Sequence, residues 1–300
     1  MPMIRPRTFS NKGSLDSIIC LDPPLDAPGQ YSLLSVIKLL ACDAQHRHFL
    51  PADDWERHDH LIPWKAYQED IRGRSLSFVT LSLASIVTAT PKVSDFNSMV
   101  LWHNICMTLN SNMQVFELAA GRAGAASAEK GLQDITEWTQ TPAARRASVH
   151  AAQTFKLLSN RKVSQPITLN AQTAAFHSAL VLSLYLFTVT RIPETEENAY
   201  ELLDDVDWIT VGCTGMSVRE AGEDSPGAML DNTNSSDPTI AFIENGGAVS
   251  IGGSLALPGY QSARRTLLEF AHLIDSMGAW RPRTLSRILH IMSDVLEEGT

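Results

Sequence analysis

The chain has 300 residues and a mass of 32.9 kDa, with 44% hydrophobic and 19% charged residues, enough to bury a sizeable core and too apolar for a disordered or collagen-like polymer. Twenty-four Lys and Arg against 33 Asp and Glu give a net charge of −9 and a pI near 5.4, which argues against a chain that itself coats nucleic acid and favours proteins or small molecules as partners. The four cysteines, Cys20, Cys42, Cys106 and Cys213, form neither a disulfide framework nor paired zinc ligands, and so predict a reducing compartment.

Residues 1–30 are rich in Pro, Gly and Asp, with Pro23-Pro24 and Pro28-Gly29 as breakers, and read as an irregular lead-in without a secretory signal. A helix is expected over Ser32 to Cys42, followed from Asp43 to Arg74 by loop and short helical pieces. Ser77 to Thr88 is taken as a helix from its length. The strongest periodic signal runs from Asp95 to Ala120. There Met99, Trp102, Cys106, Leu109, Met113, Phe116 and Ala120 recur at alternating steps of three and four, predicting one continuous six-turn helix stopped by Gly121.

Ser127 is read as opening a shorter helix with Leu132, Ile135 and Trp138 on one face. Thr141-Pro142 supplies a cap and a first-turn proline for a helix reaching about Leu158, with Ala144, Ala147, Ala151, Phe155 and Leu158 inward. Asn170 is the expected cap of Ala171 to Val189, which is apolar nearly all round and belongs at the centre of a helical assembly. Its longest apolar run, Ser178 to Val189, is 12 residues, short of the roughly 20 a bilayer requires. Glu194 to Asp207 holds seven acidic residues and no basic ones, a solvated face. From Ser217 to Pro238, 13 of 22 residues are Gly, Pro, Ser, Asn or Asp, which predicts a long mobile insertion. Two helices close the chain, Tyr260 to Met277 stopped by Gly278, and about Thr284 to Leu296. The expected architecture is all-α: an irregular multi-helix array over residues 31–297, with at most a small β-hairpin.

Several clusters carry candidate chemistry. Cys42, His46, His48, His58 and His60, with Asp53 and Asp54, crowd four imidazoles and two carboxylates into 19 residues, and His-x-His pairs bind metals in hydrolases. This one does not end a hydrophobic strand, so an exposed polar loop is the stronger reading and the metal site the alternative. Gly247 to Ser254 falls one residue short of a phosphate-binding loop, because Gly253 stands where the lysine belongs, and a turn or small hairpin is expected instead. Arg145-Arg146-Ala147-Ser148 has the form of a basophilic kinase site placed inside a helix, a poor kinase substrate. Asn234-Ser235-Ser236 is a glycosylation sequon that needs a secretory route. Cys106, on a buried stripe, reads as inert packing.

Arg145 and Arg146 are echoed by Arg264 and Arg265, and both pairs sit in the first two turns of their helices, where the macrodipole gives a cation no help. One reading packs their stems and bonds their heads to carboxylates such as Glu117 or the acidic run 194–207. The other makes Arg145, Arg146, Arg264 and Arg265 a patch that docks an acidic partner. No residue is assigned to catalysis, and no cofactor is expected in this chain.

Leu101-Trp102-His103, Glu117 through Arg122, Trp138 with Ala143-Ala144-Arg145-Arg146-Ala147 and His150-Ala151-Ala152, Ala179 through Leu182 with Leu184-Tyr185, Val206-Asp207-Trp208, Ala263-Arg264-Arg265, and Arg287-Ile288-Leu289 with Met292-Ser293-Asp294 together resemble the regulatory domain of fungal transcription factors, of the xylanolytic-activator type. The resemblance spans about residues 75–297. It implies an all-helical nuclear module that modulates RNA polymerase II transcription and follows a zinc-finger or zinc-cluster DNA-binding domain. Neither finger spacing nor a six-cysteine cluster exists in these 300 residues, so zinc and DNA contact would come from a preceding region or a partner.

Overall fold

The computed structural model describes residues 26–48, 80, 81, 83, 84, 96–162, 164–189, 199–216, 237–278 and 282–298. Over these the chain is mostly helical, with one small three-stranded sheet, the expected all-α class. In chain order the helices are α1 (Ala27–His48), α2 (Phe96–Asn110), α3 (Met113–Ala119), α4 (Ala125–Thr139), α5 (Pro142–Ser159), α6 (Leu169–Thr188), α7 (Trp208–Val211), α8 (Pro238–Asn245), α9 (Tyr260–Ser276) and α10 (Pro282–Glu298). The strands are β1 (Tyr200–Glu201), β2 (Val249–Ile251) and β3 (Ser254–Ala256).

Helix α6 is the axis. It buries nearly its whole circumference, from Ala171 through Leu186, and α2, α5, α9 and α4 all pack against it. Each Leu, Val or Phe so enclosed contributes roughly 1.5–3 kcal/mol over exposure, which favours a central place for the most apolar helix. Helices α9 and α10 are amphipathic instead, α9 burying Ala263, Leu267, Phe270, Ala271 and Ile274 on one face; they pack against each other, and α9 packs against α6. The core is continuous from Leu34 of α1 to Leu289 of α10. No described helix is long and apolar enough to cross a membrane.

Several boundaries differ from the sequence reading, each for a local reason. Pro28-Gly29 does not break the chain but lies in the first turn of α1, where Asp26 accepts from the Gly29 amide at 2.9 Å. The lead-in therefore ends before residue 27, and α1 runs past Cys42 to His48.

The expected six-turn helix is two helices. Near its middle Thr108, Asn110 and Ser111 each turn a side chain onto the carbonyl four residues back, and Asn112 then caps α3 by accepting from Gln114. Polar side chains that compete for the backbone end α2 without disturbing the three-four spacing. Helix α4 starts at Ala125 after Gly124, with Ser127 inside it. Thr168, not Asn170, caps α6 by accepting from Ala171, and Asn170 donates to the Tyr31 hydroxyl instead. Thr141 caps α5 as expected. Of the segment 217–238, residues 217–236 lie outside the description, but Asp237 and Pro238 already belong to α8, Asp237 accepting from Thr239 and Ile240. Of residues 77–88, only 80, 81, 83 and 84 are described, in a helical turn.

Strand β1 pairs in parallel with β2, and β2 pairs antiparallel with β3. The phosphate-loop-like stretch is this β2–β3 hairpin. Its turn residues Gly252 and Gly253 have φ of 61° and 75°, the left-handed conformation that glycine adopts freely. The two turn amides donate to the Glu201 carboxylate at 2.9 and 2.7 Å, so the anion held there is the protein's own.

Candidate functional site

Helix α5 organises the polar centre of the molecule. Ala144, Ala147, Ala151 and Ala152 keep its sides thin, so α2 and α6 close in and every residue from Ala143 to Thr154 is buried. Arg145 is 9% exposed and Arg146 0%. Two carboxylates that the sequence offered them are paired elsewhere: Glu117 with Arg122, and from the acidic run Asp205 with Lys156 at 2.7 Å. Neither arginine presents itself for docking, because both heads are committed inside.

Arg145 donates from Nε to the Ile243 carbonyl at 2.7 Å, from Nη2 to Glu244 at 2.9 Å and from Nη1 to Gln140 at 3.2 Å. Ile243 and Glu244 are in the last turn of α8, and Gln140 is the C-terminal cap residue of α4. One guanidinium thus serves the carbonyl ends of two helices, where the partial charge is negative.

Arg146 points the other way. Its Nη1 donates to the Thr214 carbonyl at 2.7 Å, and its Cζ lies 5.6 Å from the centre of the Trp208 ring. Its Nε and Nη2 have no partner among the described residues. Burial lowers its pKa to about 10, against the opposing pull of the Cys106 and Cys213 thiols. The turn carrying Thr214 comes this near because residue 215 is glycine, with φ of 82°; a Cβ there would stand 2.6 Å from an Ile243 methyl and 3.0 Å from the Pro142 carbonyl.

Beside Arg146 lies a buried imidazole pair, His103 of α2 and His150 of α5, with Nδ1 atoms 3.0 Å apart. One Nδ1 must carry the proton and the other the lone pair. His150 stacks on Trp208, centroids 3.9 Å apart and planes within 9°, while Trp102 meets both imidazoles edge-on and donates to the Thr80 carbonyl at 3.0 Å. Asp207 sets Trp208 in place by capping α7. Burial holds His103 down at about 3, and His150 falls well below the usual range through burial, then His103, then Arg146. Both are neutral at ordinary pH. With the pair sealed from solvent and the Cys106 thiol pushed up to about 12 by burial, the cluster offers no accessible base and no thiolate.

The remaining candidates separate. Arg265 is exposed and bonds Glu269 at 2.8 Å and Ser254 at 3.2 Å, while Arg264 is half-buried. Ser148 is fully buried and donates to Ala144, out of reach of a kinase. His46 and His48 fall in the last turn of α1; their side chains, like His58, His60 and Asn234, lie outside the described residues. Among the described residues no three of His, Cys, Asp and Glu are grouped to hold a metal ion.

On the Arg145 side of α5 is a pocket of about 240 Å³, lined by Arg145, Tyr185, Gln140, Asn245 and the Gly246–Gly247 backbone among others. Sequence reasoning missed both centres, since the partners of Arg145 lie 98 and 99 positions away and those of His103 lie 47 away. Comparison with protein-family models, with curated proteins and with solved structures found no match.

Proposed function

We propose that the chain is the regulatory, non-finger domain of a fungal zinc-finger-type nuclear transcription regulator. In this reading it modulates RNA polymerase II transcription through protein partners or a small-molecule effector, and catalyses no reaction of its own. One observation supports it. Residues within the segments quoted for the resemblance, Trp102, His103, Arg146, His150 and Trp208, are spread over more than a hundred positions yet meet around one buried centre joining α2, α5 and α7. In this reading the resemblance tracks a packing arrangement, and a helical array held by such a keystone suits a module that works by docking and ligand response.

The test is a reporter assay in a fungal host, with the chain fused to an unrelated DNA-binding domain. A severalfold change in reporter output, together with nuclear accumulation of the unfused chain, is the expected result. No change in output, or a tight sequence-specific DNA complex formed by the purified chain alone, would sink the reading. The alternative, a metal-dependent hydrolase on His46, His48, His58 and His60, draws no support from any described residue; stoichiometric zinc lost on replacing those histidines would revive it.

A further inference from the structure

We propose that the pocket of about 240 Å³ between the C-terminal ends of α4 and α8 binds a small uncharged molecule bearing hydroxyl or amide groups, held through the Tyr185 hydroxyl. Calling that molecule an effector rests on the regulatory reading above; its binding does not.

The charge of the site comes first. The wall carries both signs: Arg145, which already bonds the carbonyls that end two helices, and the exposed Glu244. Each such helix end carries partial negative charge, which offsets part of the guanidinium's. An anion entering here would meet Glu244 and the carbonyl oxygens that already engage Arg145. A cation would meet Arg145 itself. A neutral molecule avoids both costs.

The hydroxyl comes second. Tyr185 is 2% exposed, on the most apolar helix of the fold, and lines the pocket. Two positions earlier on α6, Ser183 turns its hydroxyl back onto the Leu180 carbonyl. Tyr185 makes no such bond, and its hydroxyl has no hydrogen-bond partner among the described residues. A buried phenol ordinarily finds one. Burial pushes its pKa up to about 12, so it keeps its proton and can donate.

Size and shape come third. A volume of about 240 Å³ is below the roughly 300–1,000 Å³ of pockets that enclose drug-sized ligands, and so suits a smaller molecule. The Gly246 backbone lies close to the arginine stem, since a Cβ there would stand 3.4 Å from Arg145 Cδ.

The experiment uses the full chain labelled with 15N, following the Gly246 and Gly247 amide signals during titration with small neutral probes of this size, erythritol, glycerol and N-methylacetamide. Erythronate, the carboxylate of the same carbon chain as erythritol, is the charged control. At least one neutral probe is expected to give a saturable shift, weakened about threefold to tenfold by Tyr185→Phe, the worth of one hydrogen bond. Erythronate is expected to bind more weakly. The Tyr185→Phe chain should unfold at the same urea concentration as the parent, because the hydroxyl it loses bonds nothing. The proposal fails if no neutral probe saturates by roughly 100 mM, if Tyr185→Phe binds as well as the parent, or if erythronate binds more tightly. Such a failure would leave water as the pocket's occupant and would not touch the reporter result, while a silent reporter with intact probe binding would remove the regulatory reading alone.

Discussion

The same three residues, Ala-Arg-Arg, open α5 at 144–146 and α9 at 263–265, and the two copies meet opposite fates. In α5 both guanidiniums are buried and bond main-chain carbonyls from α4, α8 and the turn after α7. In α9 the second arginine lies in solvent, side chain 60% exposed, paired with Glu269 one turn on. The difference is in the neighbours. Helix α5 is enclosed by α2 and α6 and flanked by α8, whereas α9 buries one face only. A cation placed where its own helix offers nothing can still serve the ends of other helices, and only the tertiary fold decides whether it does.

The comparison predicts a descending series of effects. Arg146→Ala should cost about 4 kcal/mol in urea unfolding, through the cavity left by a fully enclosed stem and the stranded Thr214 carbonyl. Arg146→Met keeps the stem and removes a buried charge that has no anion partner among the described residues, and should cost less than half as much. Equal losses from the two substitutions would show that the charge, not the stem, is what matters. Arg145→Ala follows at about 3 kcal/mol, because two helix ends lose their donor. Arg145→Lys should recover only part of that, one ammonium being unable to reproduce the fork.

Acid comes next. His103 has a folded pKa of about 3, His177 on α6 is lowered to about 3 by burial and then by Lys38, and His150 is also depressed, against 6.5 for the free side chain. The unfolded chain thus binds the extra protons. The stability these groups confer is complete above pH 6.5 and is lost as pH falls, by about 1.4 kcal/mol per unit for His103, or about 2 kcal/mol at pH 5, with His150 and His177 adding to the loss in the same direction. A flat profile between pH 7 and 5 would mean that the pair is open to water. Last, Arg265→Ala should change stability by less than about 0.5 kcal/mol, the usual worth of an exposed pair. A loss comparable to that of Arg145→Ala would erase the contrast between the two helices.

What the sequence made legible was what short-range chemistry determines. The Thr141-Pro142 start of α5, the glycine stops at Gly121 and Gly278, the central place of the apolar helix and the hairpin at Gly252-Gly253 all follow from residues within a turn of one another. The break between α2 and α3 was written locally too, in Asn110, Ser111 and Asn112, but a regular apolar spacing ran straight across it and masked it. The site was illegible for a different reason. His103 and His150 become a pair, and Trp208 their platform, only when α2, α5 and α7 are packed together. The Arg145 pocket likewise exists only where the ends of α4 and α8 come together.

The clasp that Glu201 makes on the hairpin turn has a consequence for the integrity of the molecule. With the Tyr200–Thr239 bond, the β1–β2 pairing, the reach of Arg145 to Ile243 and Glu244, and the Phe155–Phe270 ring contact, it ties the chain before residue 217 to the chain after residue 236 at five separate places. A peptide bond cut between those residues would divide the polymer without dividing the fold. The two fragments would travel together through a sizing column and part only in denaturant.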